Sequence, residues 1–177
     1  MSRVGKQPIS VPQGVDIKIE DRKVKIKGKK GELEAIIPRG VSVNINDGKI
    51  IVSVDSESKE NNAFWGLARS LLNNMIIGVT EGFMKTLEIR GREYRMNLKG
   101  KDLELDLGYS HSIKVSPKKG IEFKVEESKL TVSGIDKALV GEQAAEIRAL
   151  RPAEVYKGKG IRYDGEYIIH KEGKRGL

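Results

Sequence analysis

Eight residues, Tyr156-Lys157-Gly158-Lys159-Gly160-Ile161-Arg162-Tyr163, alternate cations, glycines and aromatic rings. Lysine and arginine neutralise phosphates, glycine lets a backbone come close to a ligand or take positive φ, and tyrosine offers a flat face to an unpaired base. That chemistry is non-covalent and points to a nucleic-acid partner. On this reading Lys157, Lys159 and Arg162 contact phosphates, Gly158 and Gly160 permit close approach, and Tyr156 and Tyr163 stack on bases or brace the loop. Arg151, Lys171, Lys174 and Arg175 add phosphate contacts. The plainer alternative is a solvated basic tail whose tyrosines pack back on a sheet.

Covalent chemistry has little to stand on. His111 falls in a turn and His170 in the tail, without the carboxylate or cysteine spacing of a metal or nucleophile site, so the chain reads as a non-enzyme without cofactor or metal. Gly158-Lys159-Gly160 is too short for a phosphate loop of the G-x-x-x-x-G-K-[ST] type, and a dinucleotide fingerprint would need glycine where Tyr163 stands. The chain has no cysteine, which excludes disulfides and thiolate metal sites. No signal peptide and no run of roughly 20 apolar residues is visible, so a cytoplasmic protein is expected, with no membrane partner.

The 177 residues carry 33 bases and 25 acids, a formal net charge of +8, which favours a polyanionic partner. Charges of both signs mix through most of the chain, and the surplus gathers at its ends. Residues 1–14 hold Arg3 and Lys6 and no acid, and the last 30 residues hold eight bases against four acids.

The elements that would position these residues can be read from periodicity. Met1 to Pro12, with Pro8, Pro12 and Gly5, reads as an extended arm, loosely packed in isolation. From Val15 the apolar residues alternate (Val15, Ile17, Ile19; Val24, Ile26; Leu33, Ala35, Ile37; Val41, Val43, Ile45; Ile50, Val52, Val54), the period of strands with one buried face. Turns at Glu20–Lys23, Gly28–Gly31 and Asn46-Asp47-Gly48 divide them into an antiparallel meander. The period then changes. Phe64, Leu67, Ala68, Leu71, Leu72, Met75, Ile76 and Val79 form the stripe of a helix laid on a sheet, ending near Gly78. Phe64 reads as core, Trp65 as partly exposed packing, and Arg69 and Asn73 as a solvated face. A second run of strands spans Leu87 to Val132. A second helix starts at an Asp136 cap, turns Val140, Ala144, Ile147 and Leu150 inward and Arg148 outward, and stops at Arg151-Pro152.

The two passes superpose. Asp47-Gly48-Lys49-Ile50-Ile51-Val52-Ser53 matches Glu127-Ser128-Lys129-Leu130-Thr131-Val132-Ser133, and Arg69-Ser70-Leu71 matches Arg148-Ala149-Leu150 at an offset of 79. A strand, hairpin, strand, helix order that recurs marks a duplicated unit. The expectation is an α+β fold of two tandem similar domains, 1–81 and 82–177, each an antiparallel sheet with a helix packed on one face. The first copy has nothing equivalent to residues 156–163 after its helix.

These residues also carry a resemblance. Leu150-Arg151-Pro152 followed by Tyr156 to Tyr163, Ser2-Arg3-Val4-Gly5-Lys6 with Pro8-Ile9, Trp65-Gly66-Leu67 with Asn74-Met75 and Gly78-Val79, and Ala144-Ala145-Glu146-Ile147-Arg148 are similar to the bacterial-type large-subunit ribosomal protein six family along the whole chain. The resemblance implies two tandem domains of one fold, binding of large-subunit ribosomal RNA beside neighbouring ribosomal proteins, and a place near the stalk base and the elongation-factor site. The chain departs from the family at Pro152-Ala153-Glu154-Val155, where Pro-Pro-Glu-Pro is common, which implies a more flexible entry to the loop. A protein-interaction adaptor that pairs through exposed sheet edges is the rival reading.

Overall fold

Alternation becomes strand, and the longer apolar stripe becomes helix, in two compact units that divide between Gly82 and Phe83. The structure is a computed structural model and describes residues 2–46, 48–54, 56 and 58–174. Asp47 in the hairpin turn, and Arg175 at the end, lie outside the described residues.

In the first unit, β1 (Ile9–Ser10), β6 (Lys49–Val54) and β5 (Val41–Asn46) form one antiparallel sheet in the order β1-β6-β5, and β2 (Asp16–Glu20), β3 (Lys23–Gly28) and β4 (Gly31–Ile36) form another. The unit therefore splits its strands between two sheets where one was expected. Helix α1 (Lys59–Thr80) packs on both. Its N-terminus is capped by Ser58, whose hydroxyl accepts from Asn61 N at 3.0 Å. Burying Val24, Ile26, Ile50, Val52, Leu72, Ile76 and Val79 makes the core.

Several details differ from the sequence reading. Gly78 lies inside the helix and is buried, and the helix runs on to Thr80. The glycine that leaves the helix is Gly82, at φ +81°. The N-terminal arm is not loose: Ile9 pairs with Ile50 and is 3% exposed. Gly5 lets the Trp65 ring lie against the arm, where a Cβ would meet the indole at 2.6 Å. Trp65 itself is half-buried and donates from Nε1 to the Val52 carbonyl at 2.7 Å. Phe64 is not core. It is 39% exposed and, with Leu67 and Leu71, forms an apolar row on the outer face of α1, because Ala68, Leu72 and Met75 already fill the inner one.

The second unit repeats the plan. β8 (Arg95–Lys99), β9 (Asp102–Asp106) and β10 (Ile113–Val115) form a meander like β2-β3-β4, and β7 (Phe83–Arg90), β12 (Lys129–Gly134) and β11 (Ile121–Glu126) take the places of β1, β6 and β5. Helix α2 (Lys137–Leu150) starts at the expected Asp136 cap, whose carboxylate accepts from Ala138 N at 2.8 Å. Leu87, Leu103, Leu105, Leu130, Val132 and Ile147 lead the core. Among the described residues, one strand has no counterpart in the first unit. β13 (Gly160–Tyr163) adds to the outer edge of β7, completing the order β11-β12-β7-β13.

Candidate nucleic-acid interface

The opening stretch splits into a strand and a loop tip. Ile161 supplies the strand's burial, at 0% exposure, and pairs with Ile89 across the sheet. Arg162 stands directly opposite Glu88, and its Nε and Nη2 donate to one carboxylate oxygen at 2.9 and 2.7 Å. Arg90 donates to the other at 2.9 Å. Burial pushes the Glu88 carboxyl up, but the hydrogen bonds from Arg90 and Arg162 outweigh it and hold the group below its ordinary 4.5. With the two side chains only 13% and 18% exposed, Arg162 faces Glu88 and not solvent.

The glycines are needed for the chain's own packing. A Cβ on Gly160, at φ +139°, would lie 2.6 Å from the Ala153 Cα and from the Pro152 carbonyl oxygen. That close approach lets Pro152 bridge to Ile161 and the Ile161 amide donate to the Arg151 carbonyl at 2.7 Å. Gly158, at φ +68°, is buried against the His170 ring. Both glycines thus meet the chain's own atoms. The loop entry that carries Ala153 and Val155 is bridged by backbone hydrogen bonds. Glu154 N donates to the Lys159 carbonyl at 2.9 Å, Gly158 N to the Glu154 carbonyl at 3.1 Å, and Lys171 N to the Val155 carbonyl at 2.9 Å.

Those bonds close a tight tip at whose apex Tyr156 and Lys157 stand exposed, Tyr156 at 58%. The Lys171 amide pins the tail beside the tip, and the side chains of Lys171 and Lys174 are exposed. Lys159 is half-buried and binds Glu93 at 2.8 Å, holding that carboxyl below its ordinary range. Arg151 is exposed, stacks over the Tyr109 ring at 5.2 Å in a cation–π contact and donates from Nε to the Tyr94 hydroxyl at 3.3 Å. Tyr163 braces the fold: half-buried against the core, it receives the Arg148 guanidinium over its ring at 5.6 Å.

Arg148 is half-buried and turned onto the fold, where Glu166 takes its Nε at 3.1 Å, and the same carboxylate accepts from Tyr163 N at 2.9 Å. The hydrogen bond from Arg148, then that from Tyr163 N, hold the Glu166 carboxyl below 4.5. The structure thus gathers Tyr156, Lys157, Lys171 and Lys174 on an exposed tip and tail, and commits Gly158, Gly160, Arg162 and Tyr163 to the frame beneath. Arg92, which sequence reasoning did not single out, is exposed in the turn that carries Glu93. The signal was Gly91, whose φ of +149° marks a turn between two strands.

Among the described residues no cluster of His, Asp or Glu could hold a metal, and no helix is long and apolar enough to cross a membrane.

Comparison with known proteins gives the same duplication. The family described as Ribosomal protein L6 matches residues 11–82 and 90–164, one segment in each unit, and the second segment includes β13. The Large ribosomal subunit protein uL6 of Clostridium novyi is 50% identical over 178 residues, covering 99% of each chain. That of Rubrobacter xylanophilus is 50% identical over 177 residues, covering 99% of this chain and all of its own, and that of Phenylobacterium zucineum is 47% identical over 176 residues. The exposed basic tip, the strand that carries it and the doubled α+β scaffold are therefore those of a member of the ribosomal protein L6 family.

Proposed function

We propose that this chain is a structural, non-enzymatic constituent of the large ribosomal subunit in the cytoplasm, bound to large-subunit rRNA and flanked by other ribosomal proteins. The observation that carries the RNA contact is the tip at residues 154–159, where a backbone closed on itself holds Tyr156 and Lys157 out of the protein while Lys171 is pinned beside them. A preformed tip loses little entropy on binding. Lys157, Lys171, Lys174 and Arg151 neutralise phosphates there, and Arg175 extends the series. Tyr156 stacks on an unpaired base. Lys159 joins when the phosphate displaces Glu93, whereas Arg162, Gly158, Gly160 and Tyr163 act by holding the tip in place. The resemblance to this family supports, as part of the same proposal, a position for this interface near the stalk base and the elongation-factor site.

Nuclease protection of large-subunit rRNA by the full chain tests the reading. Wild type is expected to protect a defined RNA segment, and the Tyr156→Ala, Lys157→Ala double variant to lose that protection while unfolding at the same temperature. Undiminished protection by the double variant would remove the tip from the interface.

A further inference from the structure

The two copies of the fold differ at one sheet edge in a way the RNA contact does not use. β5 is the outermost strand of β1-β6-β5, and β11 holds the same place in β11-β12-β7-β13. At an offset of 80, Val41, Val43 and Ile45 correspond to Ile121, Phe123 and Val125, and Ser42, Asn44 and Asn46 to Glu122, Lys124 and Glu126. Charged side chains on an edge strand oppose pairing with a further strand, because the added neighbour would strand or desolvate them. β11 carries three such residues, and Lys124 and Glu126 already pair at 2.6 Å. β5 carries none and has no proline, so its outward row of amide and carbonyl groups lies along an uncharged edge.

Beside β5 lies a groove of about 480 Å³ between that strand and the β2 end of the meander. Ile19, Ile37, Val41 and Val43 give it an apolar lining, while the exposed Arg22 and Arg39 stand at its rim with Asp21 as the single acid among the described residues. Arg22 is anchored by donation from Nε to the Ile37 carbonyl at 3.1 Å. The corresponding residues of the second unit are larger, with Ile121 only 6% exposed and Phe123 packed against its core.

We infer that the β5 edge and this groove accept an extended segment of a neighbouring protein, alternating apolar and acidic residues, as an added strand of the first unit. Backbone pairing to β5 supplies affinity, apolar side chains enter the groove, and carboxylates meet Arg22 and Arg39. A lysine-rich segment would be repelled by those arginines. An RNA strand would find no cation on β5 and an apolar floor.

Binding of a fluorescein-labelled Glu-Val-Glu-Val-Glu-Val peptide to the full-length protein, followed by anisotropy and by amide chemical shifts, tests the inference. The acidic peptide is expected to bind with shifts centred on residues 41–46, and Lys-Val-Lys-Val-Lys-Val not to bind. Asn44→Lys, which installs the second unit's charge on an exposed position, should weaken binding by at least about tenfold, as should Arg39→Glu and Val43→Phe. Asn44→Lys should leave rRNA protection intact, which separates this surface from the RNA tip. Absence of peptide binding, equal binding by Asn44→Lys, or displacement of the peptide by an oligouridylate would overturn it.

Discussion

Lys157 and Arg162 look alike in the sequence, two cations in one glycine-rich stretch, and the fold gives them opposite surroundings. Lys157 is exposed at the tip, whereas Arg162 is spent on Glu88 across the β13–β7 ladder. Removing a partner from a largely buried ion pair leaves the other charge uncompensated, at a cost of about 3–5 kcal/mol when burial is complete and less here. Arg162→Ala should therefore lower the denaturation midpoint of the second unit, and Lys157→Ala should leave it unchanged while weakening RNA binding. Gly160→Ala should destabilise the same unit by about 1–3 kcal/mol through its positive φ, and by more through the collision with Pro152 and Ala153. Gly120→Ala, where no atom lies within 4 Å of the added Cβ, should show the conformational cost alone. Both outcomes are read from urea unfolding curves.

The two carboxylates that fasten β13 and the tail also set a pH dependence. Glu88 and Glu166 titrate below their ordinary 4.5 in the folded chain, so the unfolded chain binds more protons across that interval. Their contribution is complete above about pH 4.5 and is lost as the pH falls through the lowered folded values. Hydrogen exchange at the Ile161 and Tyr163 amides should accelerate, relative to the intrinsic rate, as the pH drops through that window. An unchanged protection factor would show that these pairs do not hold the strand.

At the scale of elements, α1 shows how a stripe can be read correctly as helix and wrongly as core. Phe64, Leu67 and Leu71 keep the helical spacing, but the sheets cover only the face of Ala68, Leu72 and Met75. Leu72→Ala should cost about 2–5 kcal/mol, and Leu67→Ala much less, in thermal unfolding. β13 was illegible for a different reason. A strand of four residues with one fully buried apolar side chain offers no alternation to read, and its ion pair reaches back 74 positions. The duplication was legible because strand and helix periods recur over long windows. The division of each copy into two sheets was not, since period 2 reports which residues alternate and says nothing of which strands pair.

At the scale of the whole molecule, residues 1–82 carry 13 bases and ten acids, and residues 83–177 carry 20 and 15. Most of the second unit's surplus lies in its last 30 residues, and Arg148, Lys159 and Arg162 there are already paired with Glu166, Glu93 and Glu88. Among the described residues of that stretch, Arg151, Lys157, Lys171 and Lys174 stand exposed, a set small enough for its number of phosphate contacts to be measured. If Arg151, Lys157, Lys171 and Lys174 each neutralise a phosphate, the slope of log affinity for large-subunit rRNA against log salt should be about −3, at roughly −0.7 per contact. Replacing Lys157, Lys171 and Lys174 together by alanine should bring that slope to about −1, with the fold intact because all three side chains are exposed. A slope that stayed near −3 in the triple variant would contradict the placement of the principal RNA contact on the tip and tail.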